Sequence, residues 1–235
     1  MEATAIALSN AVDLANREAR EKRYLEIVGR YDRDVVDLFP KVFGEVVEAL
    51  EAEPGDVLGA VYGELEQNSK DRGQFFTPYP ICKLMAQVTL HSRESAAEII
   101  ERKGFIRTME PACGSGAMII ALAEAMRAED INYQRHLHVT AVDIDLRAIH
   151  MAYIQFTLMH IPAVLVHGNS ISLDVHDRWY TPAHILGGWS MKLARTNTDD
   201  AARTLMESVP QRLPEPSAPP LVEKRADKPV QLSLF

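Results

Sequence analysis

The chain has 235 residues, of which 47% are apolar and 25% charged, and its formal net charge is -8. This suits one globular domain or a little more, and no apolar run approaches the about 20 residues of a membrane span. No secretory signal pattern opens the sequence, and Cys82 and Cys113 stand too far apart for a CxxC knuckle, so a disulfide framework and a structural zinc site are not expected and a cytoplasmic setting is.

The charge is uneven. Residues 1–70 hold 15 acidic and 8 basic side chains, and the rest hold 18 and 17. A near-neutral remainder leaves room for a local phosphate-binding face but gives it no positive support.

Residues 1–66 are rich in Ala, Leu, Glu and Arg, and Tyr24, Ile27, Val28 and Tyr31 recur at helical spacing, which predicts a helical region. Pro54-Gly55-Asp56 interrupts it, with Asp56 placed to cap a helix over residues 57–65. Residues 67–77 read as a loop, and Pro78 and Pro80 open a helix through about Leu90. From residue 105 strands alternate with helices: Phe105–Glu110, a helix from Ala117 to Arg127, a strand from His138 ending at Asp143, a helix over residues 146–160, and a strand over residues 163–167 ending at Gly168-Asn169. That order predicts half of a doubly wound α/β sheet, within a domain of residues 67–209. Six of the 13 prolines lie beyond residue 209, so residues 210–235 are expected to form a tail too poor in apolar surface to offset its ordering entropy.

Glu110-Pro111-Ala112-Cys113-Gly114-Ser115-Gly116 joins a strand to a helix. Glycines there let backbone amides approach a ligand, although any tight βα turn also uses glycine. Asp143 ends the next strand, where a carboxylate can accept both hydroxyls of a ribose; a solvated acid is the plainer alternative. Phe75 and Phe76 also read as core aromatics beside a helix start. His160, His167 and His184 lack a metal-ligand pairing and read as packing or surface residues.

These segments resemble a known family. Glu110–Gly116 is similar to the Asp-Pro-Ala-Cys-Gly-Ser-Gly motif of adenine-specific DNA methyltransferases, with Glu110 in place of Asp. Gly73-Gln74-Phe75-Phe76-Thr77-Pro78 resembles a signature of the modification subunits of type I restriction systems. The resemblance implies a Rossmann-like core binding S-adenosylmethionine. Phe76 and Thr77 would close the pocket, Glu110, Pro111, Ala112, Cys113, Gly114 and Gly116 would form the loop, Asp143 would hold the ribose with Ile144 beside it at the cofactor, and Asn169 would line the adenine. It also implies DNA as a partner, a partner subunit that supplies target recognition, and no metal.

One family motif is absent. Asn/Asp-Pro-Pro-Tyr/Phe places hydrogen-bond acceptors against the target amine and an aromatic ring against the flipped base. The only Pro-Pro pair here, Pro219-Pro220, follows Ala218 in the tail. A full sheet also needs well over about 60 residues beyond Asn169, more than precede the tail, so the sheet is expected to be incomplete. Residues 179–189 hold Trp179, Tyr180, His184 and Trp189, which either substitute at the base or seal a sheet edge. Finally, Gln231-Leu232-Ser233-Leu234-Phe235 resembles the bacterial sliding-clamp-binding peptide, with Gln231, Leu232, Leu234 and Phe235 as its contacts; the alternative is an apolar end folded back on the domain. Two functions follow: an adenine-specific DNA methyltransferase or a subunit of one, or an inactive module recruited through the clamp as an adaptor or restriction antagonist.

Overall fold

The structure, a computed structural model, describes residues 1–66, 77–90 and 96–208. Contacts divide the chain into two units, Met1–Thr196 and Asn197–Phe235. Phe76 and the rest of its motif before Thr77, the tail from residue 210, and Gln231, Leu232, Leu234 and Phe235 lie outside the described residues.

Residues 1–66 form α1 (Glu2–Asn10), α2 (Arg17–Val28), α3 (Arg33–Val36), α4 (Phe39–Ala52) and α5 (Val57–Glu66). The predicted cap at α5 is present: Asp56 Oδ1 accepts a hydrogen bond from the Gly59 amide at 3.0 Å. Next come α6 (Tyr79–Leu90), α7 (Ala96–Lys103), β1 (Ile106–Glu110), α8 (Ala117–Ala128), α9 (Tyr133–His136), β2 (Leu137–Asp143), α10 (Leu146–Leu158) and β3 (Ala163–Asn169). Pro80 sits in the first turn of α6, where its missing N–H costs nothing. α10 stops before the predicted His160: that residue has φ 55°, and the Ile161 amide reaches back to the Phe156 carbonyl at 2.8 Å, closing the helix.

The sheet runs β1-β2-β3-β4, where β4 is Asp174–Tyr180; α11 (Pro182–Leu186) and α12 (Trp189–Ser208) follow. The first three strands are parallel, as two βαβ units require. β4 was not foreseen. It returns antiparallel beside β3, with Leu165 opposite Trp179.

Register sorts the side chains onto two faces. Leu137, Val139, Ala141, Ala163 and Leu165 are fully buried beneath the crossover helices α8 and α10. The other face carries His138, Thr140 and Val142 of β2, with Arg107 and Met109 of β1 in register beside the first two. There His138 contacts Trp189 at 5.2 Å between ring centroids, and its Nε2 is 2.9 Å from His184 Nδ1. Trp179 and Trp189 are 4% and 1% exposed, so neither presents a ring to a base; both seal the sheet.

The helical front is bolted to the β4 edge. The Arg20 guanidinium lies 4.0 Å from the Trp179 ring centroid, pairs with Asp13 at 2.7 Å, donates to the Arg178 carbonyl at 2.8 Å, and also donates to Ser9.

Candidate functional site

The loop between β1 and α8 folds over the end of β2. The Cys113 amide donates to the Val142 carbonyl at 2.9 Å, and the Gly114 amide donates to Asp143 Oδ2 at 2.8 Å. Asp143 Oδ1 accepts from the Asp145 amide at 2.8 Å. Each carboxylate oxygen therefore holds one backbone amide and keeps lone-pair capacity for a second donor.

Gly116 shows why this loop needs glycine. Its φ is 95°, and a Cβ there would run into the Phe156 ring. The loop thereby packs directly on α10, and α8 starts at once with an apolar, alanine-rich run.

Other predicted residues gather at the same strand ends. Glu110 closes β1, is half-buried, and has its carboxyl pushed up by burial. Pro111 and Ala112 are exposed beside it. Ile144, next to Asp143, is 63% exposed, an uncovered apolar side chain at the crevice. Cys113 is buried; burial first, then the charges of Asp143 and Glu110, push its thiol well up, so it packs as a neutral group. Asn169 ends β3 and uses Oδ1 to accept from the Ile171 amide at 2.9 Å, leaving its NH2 group to donate elsewhere. Thr77 is exposed before α6, its carbonyl 3.8 Å from the Cys82 thiol, and no hydrogen bond joins it to the glycine loop among the described residues.

Three residues outside the predicted set hold the loop in place. Ser115, fully buried, donates from Oγ to Asp56 Oδ2 at 2.6 Å. Gln155 of α10, also fully buried, donates from Nε2 to Asp56 Oδ1 and to the Ser115 carbonyl, both at 2.9 Å. Its Oε1 accepts from the Leu58 amide at 3.0 Å. Asp56 was legible as a helix cap; its tie to the loop, 59 positions away, leaves no local pattern.

A family model for N-6 DNA methylases matches residues 53–189. The chain belongs to the N-6 DNA methylase family. The matched residues take in α5, the glycine loop, Asp143 and all four strands of the sheet. Among solved structures, the chain is similar to a type I restriction-modification methyltransferase subunit from Streptococcus thermophilus, at 24% identity and TM-score 0.34, over 48% of this chain and 23% of that one. It is also similar to a putative class I S-adenosylmethionine-dependent methyltransferase from Listeria monocytogenes, at 18% identity and TM-score 0.37, over 54% and 38%. The chain thus spans well under two thirds of either structure. No curated protein matches it.

The cofactor of the N-6 DNA methylase family is S-adenosylmethionine, and the donor set here fits it. Asp143 holds a fixed carboxylate with acceptor capacity left, Ile144 an exposed apolar side chain and Glu110 a half-buried carboxyl, groups whose chemistry suits a diol, a flat apolar ring and a cation. No helix among the described residues is long and apolar enough to cross a membrane.

Proposed function

We propose that this chain is the cofactor-holding part of an adenine-specific DNA methyltransferase. The observation that carries the reading is Asp143, anchored by two backbone amides beside the glycine loop with an acceptor site left on each oxygen. S-adenosylmethionine supplies an activated methyl group when bound, so the protein's task is placement and exclusion of water.

In this reading Asp143 and Ile144 fix the nucleoside end, and the loop from Glu110 to Gly116 wraps the middle. Phe76 and Thr77 close the amino-acid end, and Asn169 contacts the purine. Asp56, Ser115 and Gln155 hold the loop rigid without touching the ligand. Residues 67–209 form the cofactor domain, residues 1–66 buttress it, and residues 210–235 are a tether whose last five residues dock on the sliding clamp. DNA is the substrate and the setting is cytoplasmic.

Calorimetry with S-adenosylmethionine tests the pocket. Asp143→Ala is expected to lose at least about tenfold in affinity, the scale of one to two charge-assisted hydrogen bonds. Equal affinities for wild type and variant would remove Asp143 from the site. For the tether, deleting Gln231–Phe235 is expected to abolish binding to purified clamp, and unchanged binding discards that part.

A further inference from the structure

A second cluster of reactive side chains lies on the other face of the sheet, near the start of β2 and away from the glycine loop at its end. His184 of α11 is 3% exposed and sits between two partners. Its Nδ1 is 2.9 Å from Nε2 of the buried His138 of β2, and its Nε2 is 3.0 Å from Oγ of Ser190 in α12. Of the three, only Ser190 is exposed.

The local structure fixes this chain of groups. Thr181, fully buried, caps α11: its Oγ1 accepts from the Ala163 and His184 amides at 2.9 and 3.3 Å and donates to the Ile161 carbonyl at 2.9 Å. α11 stops at Gly187, where a Cβ would press on the Ala183 carbonyl and the Trp189 ring. Gly188, at φ 63°, turns the chain straight into α12 and brings Ser190 back beside the imidazole.

One choice of tautomers serves all three groups. His184 donates from Nδ1 to His138 Nε2, which leaves its own Nε2 lone pair to accept the Ser190 O–H. A hydroxyl within reach of an imidazole that a third group orients is the arrangement of an activated nucleophile. Burial lowers both histidines, so the one facing Ser190 is a neutral base at pH 7. The Met191 and Lys192 amides bond the Gly188 carbonyl, whereas those of Trp189 and Ser190 have no backbone acceptor among the described residues and adjoin the hydroxyl as donors for a developing oxyanion.

Ser190 and His184 line a cleft of about 430 Å3, with Val12, Leu14, Ile185 and Met191 among its walls. No lysine or arginine lines it, and its carboxylate, Asp13, is paired with Arg20, so the walls suit an uncharged substrate with a short apolar group. Satisfying two buried imidazoles needs neither the cleft nor the spare amides.

We propose that Ser190, with His184 as its base and His138 positioning that base, hydrolyses short-chain carboxylic esters in this cleft. Ser190 Oγ bonds to the ester carbonyl carbon as its proton passes to His184 Nε2. The carbon–oxygen bond to the alcohol then breaks, and the alcohol leaves with that proton. Water attacks the acyl-serine by the same route, giving the acid and restoring the serine. The proposal is independent of the methyltransferase reading and uses none of the residues which that reading assigns.

The test treats the full chain with a fluorophosphonate, maps the adduct by mass spectrometry, and follows hydrolysis of p-nitrophenyl acetate and butyrate in parallel. One adduct, on Ser190, is expected. Ser190→Ala should lose it and fall to the buffer rate. His184→Gln should lower kcat about 100-fold or more, and His138→Gln should lower kcat with KM unchanged, a split that a merely structural role would not give. Ser190→Ala removes only an exposed hydroxyl and should melt with wild type, so its result stands whether or not the buried-histidine variants fold. Absence of an adduct on Ser190 in wild type, or ester hydrolysis that Ser190→Ala leaves unchanged, would each overturn the proposal.

Discussion

At one edge of the sheet, Trp179 is 4% exposed, its ring 5.0 Å from His150, 5.3 Å from Tyr153 and 4.0 Å from the Arg20 guanidinium. At the other edge, Met109 is 61% exposed. Both edges belong to one small sheet, so general hydrophobicity does not explain the difference. An edge strand is closed when its chain returns with a large side chain aimed at the core, as β4 does. Among the described residues no strand returns beside β1, and Met109 keeps an apolar side chain in water.

The comparison is broken most directly at the closed edge. Trp179→Ala removes a buried ring and the face on which Arg20 stacks, and a loss of about 3–5 kcal/mol in urea unfolding is expected. A loss under about 1 kcal/mol would mean that the edge is closed by backbone pairing alone. Next in size is the tie behind the glycine loop. Asp56→Ala leaves the Ser115 hydroxyl and the Gln155 amide without their acceptor, costing about 1–3 kcal/mol, and it should weaken cofactor binding although Asp56 sits behind the loop. Unaltered affinity for S-adenosylmethionine would separate the tie from the site.

A third effect depends on pH. Burial, then the neighbouring His184, lowers His138 to about 3, and burial lowers His150 to about 4; burial also lowers His184. All three are neutral in the folded chain and protonate near about 6.5 when unfolded. Stability is therefore intact above that value and falls as pH drops from there towards 4 and then 3. Thermal melts from pH 7 to 5 should show the fall, and His138→Phe should flatten it; an unchanged slope would mean that the pair is not buried in solution. The smallest effect is expected at the open edge, where Met109→Lys should change stability by no more than about 0.5 kcal/mol. A larger loss would show that β1 is already covered.

Much of this was legible in the sequence, because β1 to β3 and their helices declare themselves by apolar runs and punctuating Pro111, Gly114 and Gly116. That Asp143 and the glycine loop share one crevice followed from the strand ends; the Gly114 amide bond to its carboxylate did not. β4 did not, since Asp174-Val175-His176-Asp177-Arg178-Trp179-Tyr180 buries only Trp179 and shows no alternation. Gln155 was equally hidden: it is a polar residue inside an apolar helix, and only contacts to positions 56, 58 and 115 explain its complete burial.

The Asp56, Ser115 and Gln155 tie also bears on when the loop can form. Its members are separated by up to 99 positions, and closing contacts of that span is slow relative to local helix formation. During synthesis the glycine loop leaves the ribosome about 40 residues before Gln155 does, so its final shape waits for α10. The nascent chain therefore carries every loop residue for several seconds before it has a loop able to grip a ligand.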